Sequence, residues 1–465
     1  MDLLQESLNI HPPKFLSNFG RHPDFPGDFA ARMAKAKEYF AKGDFEKGTE
    51  ILEGKKLDLD KLRNPLHPLT YIIPSNEHIC MADLEDPMGY VWLPFSSTDF
   101  YVEIDEEGIY HDLCNESAFL RLFGISQLGY LVSPRPQDLP NGECIYYLKP
   151  QFHHTRGTHS LQVAILMDVI LARNGFKERA PRILAAGCHD IGTPAGGDSV
   201  KRADPKNLDE EANFSYVMQR RGLARKWRKK YGFCLAEAQR MVNGFGPYGH
   251  LLDIIDKIAY TAVDCMYVGR ERPEKIMNFC LKHPLVMDVW QDIKYSPEHG
   301  FVFSDPERMY DFLLLRAYEF QEFLYNPYSR GMDLYLKSKV QPLYDKGILT
   351  KEQLLRLTDF QLEGILDQHY HDEEHYIVPD NLPCRKCQTQ KEQDEFVEEI
   401  SNGPGYIIDH TEHLTGFTSG LDWKLEGGSL LREALLKDKV ELLEETVNST
   451  KGYYVYYRSD NGRVS

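Results

Sequence analysis

The sequence has no run of apolar residues approaching the roughly 18 that a membrane-spanning helix requires. Its opening stretch, MDLLQESLNI, carries no basic segment leading into an apolar one. Neither a membrane span nor a secretory leader is therefore expected. Positive charge is in deficit: 54 Lys and Arg stand against 71 Asp and Glu, a formal net charge of −17. So acidic a molecule repels nucleic acid and anionic membranes as a whole, and an anionic substrate needs a local basic patch or a bound cation to hold it. A disulfide framework is missing as well. Nine cysteines, an odd number and mostly scattered singly, fit a reduced, cytoplasmic protein. There is no internal repeat and no long low-complexity tract. What is present is globular in character: 42% hydrophobic and 27% charged residues, with 27 Tyr and 24 Phe to build cores. A chain of 465 residues exceeds one small core, so two or three packed units are expected.

Periodicity suggests how they are arranged. Phe29 to Gly54 reads as a polar helical segment with Gly breaks. From Gly89 to Tyr110 the pattern turns β-like, in GYVWLPF and DFYVEIDEEGIY, with Asp-Glu-Glu-Gly a candidate hairpin turn. The segment SAFLRLFGISQLGYL follows, then a Pro-rich loop, VSPRPQDLPNGE, and a candidate strand, CIYYLKP. From Thr158 to Tyr325 helical periodicity dominates. THSLQVAILMDVILARNG opens on a candidate capping Thr and stops at Asn-Gly. APRILAAGCHD places Pro181 near a first helical position, and HLLDIIDKIAYTAVDCMYVG is a third long amphipathic run. The tail from Lys346 is mixed and ends in a β-like GYYVYYRS. The expected division is an N-terminal helical and β-hairpin extension over 1–111, a helical core over 112–345 and a C-terminal mixed region over 346–465. The fold class is mostly α.

The chemistry concentrates on three of these helices. His159 opens the first, His189 and Asp190 close the second, and Asp256 lies inside the third. Two imidazoles and two carboxylates form a mixed N/O set suited to a divalent metal that keeps water in its remaining positions. Asp256, Tyr260 and Asp264 are spaced i, i+4, i+8 and share one helix face, while Leu251, Ile254, Ile255 and Ile258 supply the other.

HTRGTHSLQVA, CHDIG and DKIAYTAVD, in that order after RLFGISQLG, resemble the HD-domain metal-dependent phosphohydrolase superfamily, and within it the deoxynucleoside triphosphate triphosphohydrolase (dGTPase-like) branch. The resemblance covers about Ser117 to Leu285 and runs faintly on to Leu343. It implies an HD-domain helical bundle with β-rich N-terminal additions and a mixed α/β C-terminal appendage. It also implies one divalent metal ion (Mn, Mg, Fe, Co, Ni or Zn), held by His159, His189, Asp190 and Asp256. Arg156, Lys257, Tyr260 and Asp264 match the residues that contact substrate phosphates and sugar, and Gln127 and Leu128 match the pair beside the deoxyribose. The reaction implied is hydrolysis of a deoxynucleoside triphosphate to deoxynucleoside and tripolyphosphate by a homo-oligomer. Arg156 suits forked contact to phosphate oxygens and Lys257 a point charge.

One stretch departs from the pattern. The branch follows its His-Asp pair with a His and, three residues on, a Glu, where HDIGTPAGGDSVK carries Asp198 and Lys201. The next His-bearing helix reads LDEEANFSYV, with Glu210 or Glu211 near the His position. Three readings stay open. Asp198 and Glu211 could replace the histidines in proton transfer beside Asp190. The chain could instead act as another HD-type phosphomonoesterase or phosphodiesterase, or as a nucleotide-binding regulatory module without turnover.

Two further features stand apart. QRRGLARKWRKKYG packs seven basic residues between Arg220 and Lys230 around Trp227, an anion or nucleic-acid site or simply a solvated helix face. HYHDEEHYIVPDNLPCRKC brings His369, His371, His375, Cys384 and Cys387 together in sequence. That is either a structural zinc site or an acidic loop beside a chance cysteine pair.

Overall fold

The structure, a computed structural model, describes residues 108–127, 155–271, 273–283, 286–324, 327–370, 384–402, 405–413, 420–449 and 452–459, together with short strands at 72–74, 90–93, 100–103, 135–138 and 144–147. Phe29–Gly54 lies outside the described residues. Helices dominate what is described, and none of them is long and apolar enough to cross a membrane.

Strands β1 (Ile72–Pro74), β2 (Tyr90–Leu93) and β3 (Phe100–Glu103) form an antiparallel sheet in the order β1-β3-β2, with Tyr90 opposite Glu103. Asp105 to Glu107 of the expected hairpin turn lie outside the described residues; at Gly108 (φ 124°) the chain enters helix α1 (Ile109–Cys114), where a return strand was expected. Tyr110, Leu113 and Cys114 are buried together, a helical spacing that overrides the β propensity of Ile109-Tyr110. Helix α2 (Ser117–Leu120) follows, then a single 3-10 turn over Arg121–Gly124. The Pro-rich segment expected as loop contains β4 (Arg135–Asp138), paired with β5 (Cys144–Tyr147). Pro136 is tolerated because each strand of a two-stranded ribbon has an open edge.

Helix α3 (Arg156–Arg173) is the axis of the fold. Thr155 caps it, its side chain accepting from the Thr158 amide, so Thr158 sits inside the first turn rather than capping it. Arg156 to Asp168 are all buried, the signature of a helix packed on every side. Helix α4 (Ala180–Gly187), with Pro181 in its first turn, packs along α3 and delivers the chain into the His189-Asp190 turn. Next come α5 (Gly197–Lys201), α6 (Glu210–Arg220), α7 (Leu223–Tyr231), α8 (Leu235–Val242), α9 (Gly246–Glu271) and α10 (Pro273–Lys282). The hairpin of β6 (Ile293–Ser296) and β7 (Gly300–Phe303) leads to α11 (Pro306–Glu319). After it lie α12 (Pro327–Asp345), α13 (Lys351–Leu354), α14 (Asp359–Tyr370), α15 (Gln390–Ser401), α16 (Leu431–Ala434) and α17 (Lys437–Ser449). One large apolar core joins α1 to α4, α6 to α11 and, from the tail, Leu421, Leu431, Leu443 and Val447.

The expected boundary at Asp345 falls between elements that share a core. Leu349, Leu354, Leu362 and Leu366 cluster with Ala195, Val200 and Leu208. The Ala195 amide donates to Leu354 O at 2.9 Å. Asp359 accepts from the Gly196 and Ser126 amides at 2.7 and 2.8 Å. This clasp shapes the loop after the His-Asp pair. Gly196 (φ 80°) and Gly197 (φ 55°) hold left-handed backbone that turns the chain sharply into α5. Arg121 braces the same loop, donating to the carbonyls of Ile191 (3.2 Å), Thr193 (2.7 Å) and Leu357 (3.2 Å). Truncating it leaves buried acceptors unpaired, so Arg121→Leu is expected to lower folding stability by about 3 kcal/mol. Chemical denaturation read by circular dichroism checks this; a loss within experimental error means the loop holds without the arginine.

The tail forms a second antiparallel sheet, β8 (Cys384–Cys387), β10 (Gly452–Ser459) and β9 (Gly405–His413), with β10 in the middle. It overturns the zinc expectation. Cys384 packs beside Leu334, Tyr454 and Tyr456, whereas Cys387 packs beside Phe396 and Val455. Residues three apart on a strand face opposite sides, so the two thiols cannot share an ion. His371 and His375 lie outside the described residues. The basic run is helix α7. Its Trp227 is fully buried against Phe233, so it offers no ring for stacking a base. Lys226 pairs with Glu116, and Lys230 and Tyr231 with Asp112 at 2.6 and 2.8 Å. Two of the seven basic residues thus form a structural seam to α1 and α2.

Candidate metal centre

Three elements bring the polar groups together. α3 supplies Arg156 and His159, the turn after α4 supplies His189 and Asp190, and α9 supplies Asp256. His159 Nε2 lies 2.8 Å from Asp256 Oδ1 and 3.3 Å from His189 Nε2, and His189 Nε2 lies 3.4 Å from the same oxygen. Asp190 Oδ2 stands 3.6 Å from His189 Nε2 and 3.9 Å from His159 Nε2. His189 Nδ1 donates to the Ala186 carbonyl at 2.7 Å, which turns its Nε2 toward Asp256; burial lowers the proton affinity of this imidazole, but Asp190 and Asp256 raise it to about 9, a positive charge whose place a bound cation would take. Two nitrogens 3.3 Å apart suit a cation about 2.1 Å from each at an angle near 100°. The donor set His159, His189 and Asp256, with Asp190 beside it, therefore fits a divalent ion, and His159, His189 and Asp256 form the one group of this kind among the described residues.

The charges agree with that fit. Burial opposes ionisation of Asp190 and Asp256, yet both carboxyls are held below the usual range, Asp190 by Arg156 and the two imidazoles, Asp256 by hydrogen bonds to them. His159, wholly enclosed, is pushed down by burial. Two anionic carboxylates and a neutral buried imidazole are what a cation requires.

Around this centre, Arg156 donates to Asp190 Oδ2 at 3.1 Å and to Asp198 Oδ2 at 2.7 Å. Lys257 is tied to the Asp253 carboxylate one turn back on α9, and burial lowers its proton affinity. Tyr260 and Asp264 continue the face of Asp256, which extends it by about 12 Å along the helix. The Tyr260 hydroxyl accepts from Arg316 Nε at 2.6 Å. Burial pushes the Asp264 carboxyl up to about 8, and Glu319 against it is raised well above its ordinary value by the same cause. Gln127 is buried with its Oε1 unpartnered. Leu128 lies outside the described residues.

The two glutamates at the head of α6 differ. Glu211 is exposed, whereas Glu210 is drawn inward by Lys201, whose Nζ lies 2.8 Å from its carboxylate and 2.9 Å from that of Asp209. Sequence reasoning missed Lys201, Arg316 and Glu319 as parts of this neighbourhood. The signal for the last two was an Arg and a Glu three apart on an otherwise apolar helix, LLLRAYEF, where an unpaired charge would not be tolerated.

No family model and no curated protein matches the sequence. Solved structures do. A hypothetical protein from Aquifex aeolicus superposes with a TM-score of 0.54 at 15% identity, over 77% of this chain and 94% of that one. A phosphohydrolase from Bacteroides thetaiotaomicron superposes with a TM-score of 0.53 at 15% identity, over 77% of this chain and 97% of that one. The likeness is one of fold. It covers 77% of this chain and nearly the whole of both neighbours.

Proposed function

We propose that this protein is a metal-dependent phosphohydrolase of the HD-domain kind acting on nucleotides, with deoxynucleoside triphosphates cleaved to deoxynucleoside and tripolyphosphate. The observation that carries this reading is the convergence of His159, His189, Asp190 and Asp256 within reach of one cation, with the Arg156 guanidinium against Asp190. The name phosphohydrolase borne by one structural neighbour supports it.

His159, His189, Asp190 and Asp256 would hold a divalent ion, which would supply Lewis acidity toward a phosphoryl oxygen. The chain's own residues do the rest. Arg156 turns its fork from Asp198 onto phosphate oxygens, and Lys257 adds a point charge to the same anion. Together they offset the acidity of the molecule at the one place where a polyphosphate must settle. Gln127 Oε1, buried and unpartnered, accepts from a ligand hydroxyl. Tyr260 and Asp264, along the same helix face, hold the sugar. A carboxylate on α5 or at the head of α6 handles the proton.

Incubating the protein with each candidate metal and a panel of deoxynucleotides and ribonucleotides tests the reading. Tripolyphosphate release is the expected result. Orthophosphate or a nucleoside monophosphate as product assigns a different phosphoesterase, and tight nucleotide binding without product assigns a regulatory module.

A further inference from the structure

We propose that Glu210, positioned by Lys201, delivers the proton to the leaving oxygen; this inference rests on the phosphohydrolase reading above. Asp198, Glu210 and Glu211 all stand near the place where the triphosphohydrolase pattern carries histidine. Asp198 accepts from Arg156 at 2.7 Å and its side chain is 54% exposed, so it orients the guanidinium from the solvent side. Glu211 is exposed. Burial raises both glutamates, but Glu210 is the more enclosed of the two, its side chain 20% exposed and held by the Lys201 ammonium.

The backbone fixes it in place independently. Gly192 lies two residues beyond Asp190, and a Cβ there would meet the Glu210 carbonyl at 2.4 Å and Asn213 Cβ at 2.9 Å. The first turn of α6 therefore rests directly on the His-Asp turn, an approach that only glycine permits. Asp209 caps that turn, its side chain accepting from the Ala212 amide, and shares Lys201 with Glu210. Glu210 is thus located from two sides, by α5 through Lys201 and by the turn that carries two candidate metal ligands.

A general acid must hold its proton near neutral pH and yield it in the transition state. Burial pushes the Glu210 carboxyl up to about 7; Asp198 and Asp190 add to the rise, while Lys201 and Arg156 oppose it. In the step, a water oxygen bonds to phosphorus while the bond from phosphorus to the leaving oxygen breaks. The leaving oxygen takes the Glu210 proton, and a proton shed by the attacking water restores the carboxyl. One water is consumed and the enzyme is unchanged.

Leaving-group dependence separates this role from a structural one. With metal-loaded full-length protein, Glu210→Gln is expected to slow hydrolysis of the nucleotide substrate by ~10²- to 10⁴-fold. On bis(p-nitrophenyl) phosphate, whose phenolate departs without a proton, the loss is expected to stay within about tenfold. The alkaline limb of kcat, where the acid loses its proton, disappears in this variant and moves to higher pH in Lys201→Met. Equal losses on both esters, no loss on either, or a leaving-group-dependent loss that follows Glu211→Gln instead would each overturn the assignment. Wild-type protein that cleaves neither ester overturns the phosphohydrolase reading and this inference with it, an outcome distinct from a failure of Glu210 alone.

Discussion

Asp256→Ala is expected to strip the protein of tightly bound metal and to lower turnover by about 10³-fold or more, with the fold retained. The site loses one of its two anionic donors, and with it an oxygen lying within 3.5 Å of both imidazole nitrogens. Lewis-acid stabilisation of a phosphoryl transition state is worth several kcal/mol, and each 1.4 kcal/mol is about tenfold in rate. Asp256 is one-third exposed and sits at the mouth of the centre, so its removal leaves no cavity in the core. Asp190→Ala is the companion. It removes a donor and also releases Arg156, whose guanidinium spans Asp190 and Asp198, so it is expected to raise KM for a phosphate substrate as well as lower kcat. Metal content by elemental analysis, turnover with metal in excess and far-ultraviolet circular dichroism check both variants. Full metal occupancy and an unchanged rate in Asp256→Ala would sink the four-ligand centre.

Three residues of that candidate centre stand out in the sequence because each occupies a position where a polar group is out of place, whereas Asp256 lies on the polar face of an amphipathic helix. His159 lies in a helix buried on every side, and His189-Asp190 ends an Ala-rich helix that an ordinary core would have closed with neither. Helix periodicity also placed α3, α4 and α9 correctly, as the amphipathic and capping signals there are strong. The misreadings have separate physical causes. Ile109-Tyr110 looks like strand by propensity, but Leu113 and Cys114 a turn later commit it to helix. Beyond any local pattern, too, is the packing of Leu349, Leu354, Leu362 and Leu366 on Ala195 and Val200, some 150 residues away in the chain. The zinc expectation for Cys384 and Cys387 rested on a two-residue spacing that needs a turn, and the segment is a strand. Lys201 was visible only as a departure from a pattern. Its meaning, a cation holding Asp209 and Glu210, depends on the Gly196-Gly197 turn, which no spacing announces.

Glu319→Gln is expected to flatten the dependence of stability on pH between 5.5 and 8.5, by an amount on the order of 2 kcal/mol. Glu319 is fully enclosed on α11 against Asp264 of α9, itself 3% exposed. Two carboxylates cannot both ionise in so small a volume, so the pair shares a proton at neutral pH. Burial raises both groups above their ordinary values, Asp264 from 3.8 to about 8. The folded protein therefore binds more protons than the unfolded chain across that interval. Stability from this source is complete below about pH 4, the unfolded range, and is lost as pH rises through the folded value. An amide at position 319 donates to the Asp264 carboxylate and lets it ionise without a proton to share. Other raised carboxyls, such as Asp333 at about 6, are untouched by the substitution and cancel between variant and parent. The measurement is the difference in unfolding free energy between the two pH values, taken for both proteins without metal. A parent that loses stability toward pH 8.5 while Glu319→Gln does not shows that the proton is shared. Parallel pH profiles would show that Glu319 keeps its own proton and that Asp264 titrates independently of it. In that case Asp264 would meet a ligand hydroxyl as an ordinary carboxylate, and sugar binding along the α9 face would be insensitive to pH in the neutral range.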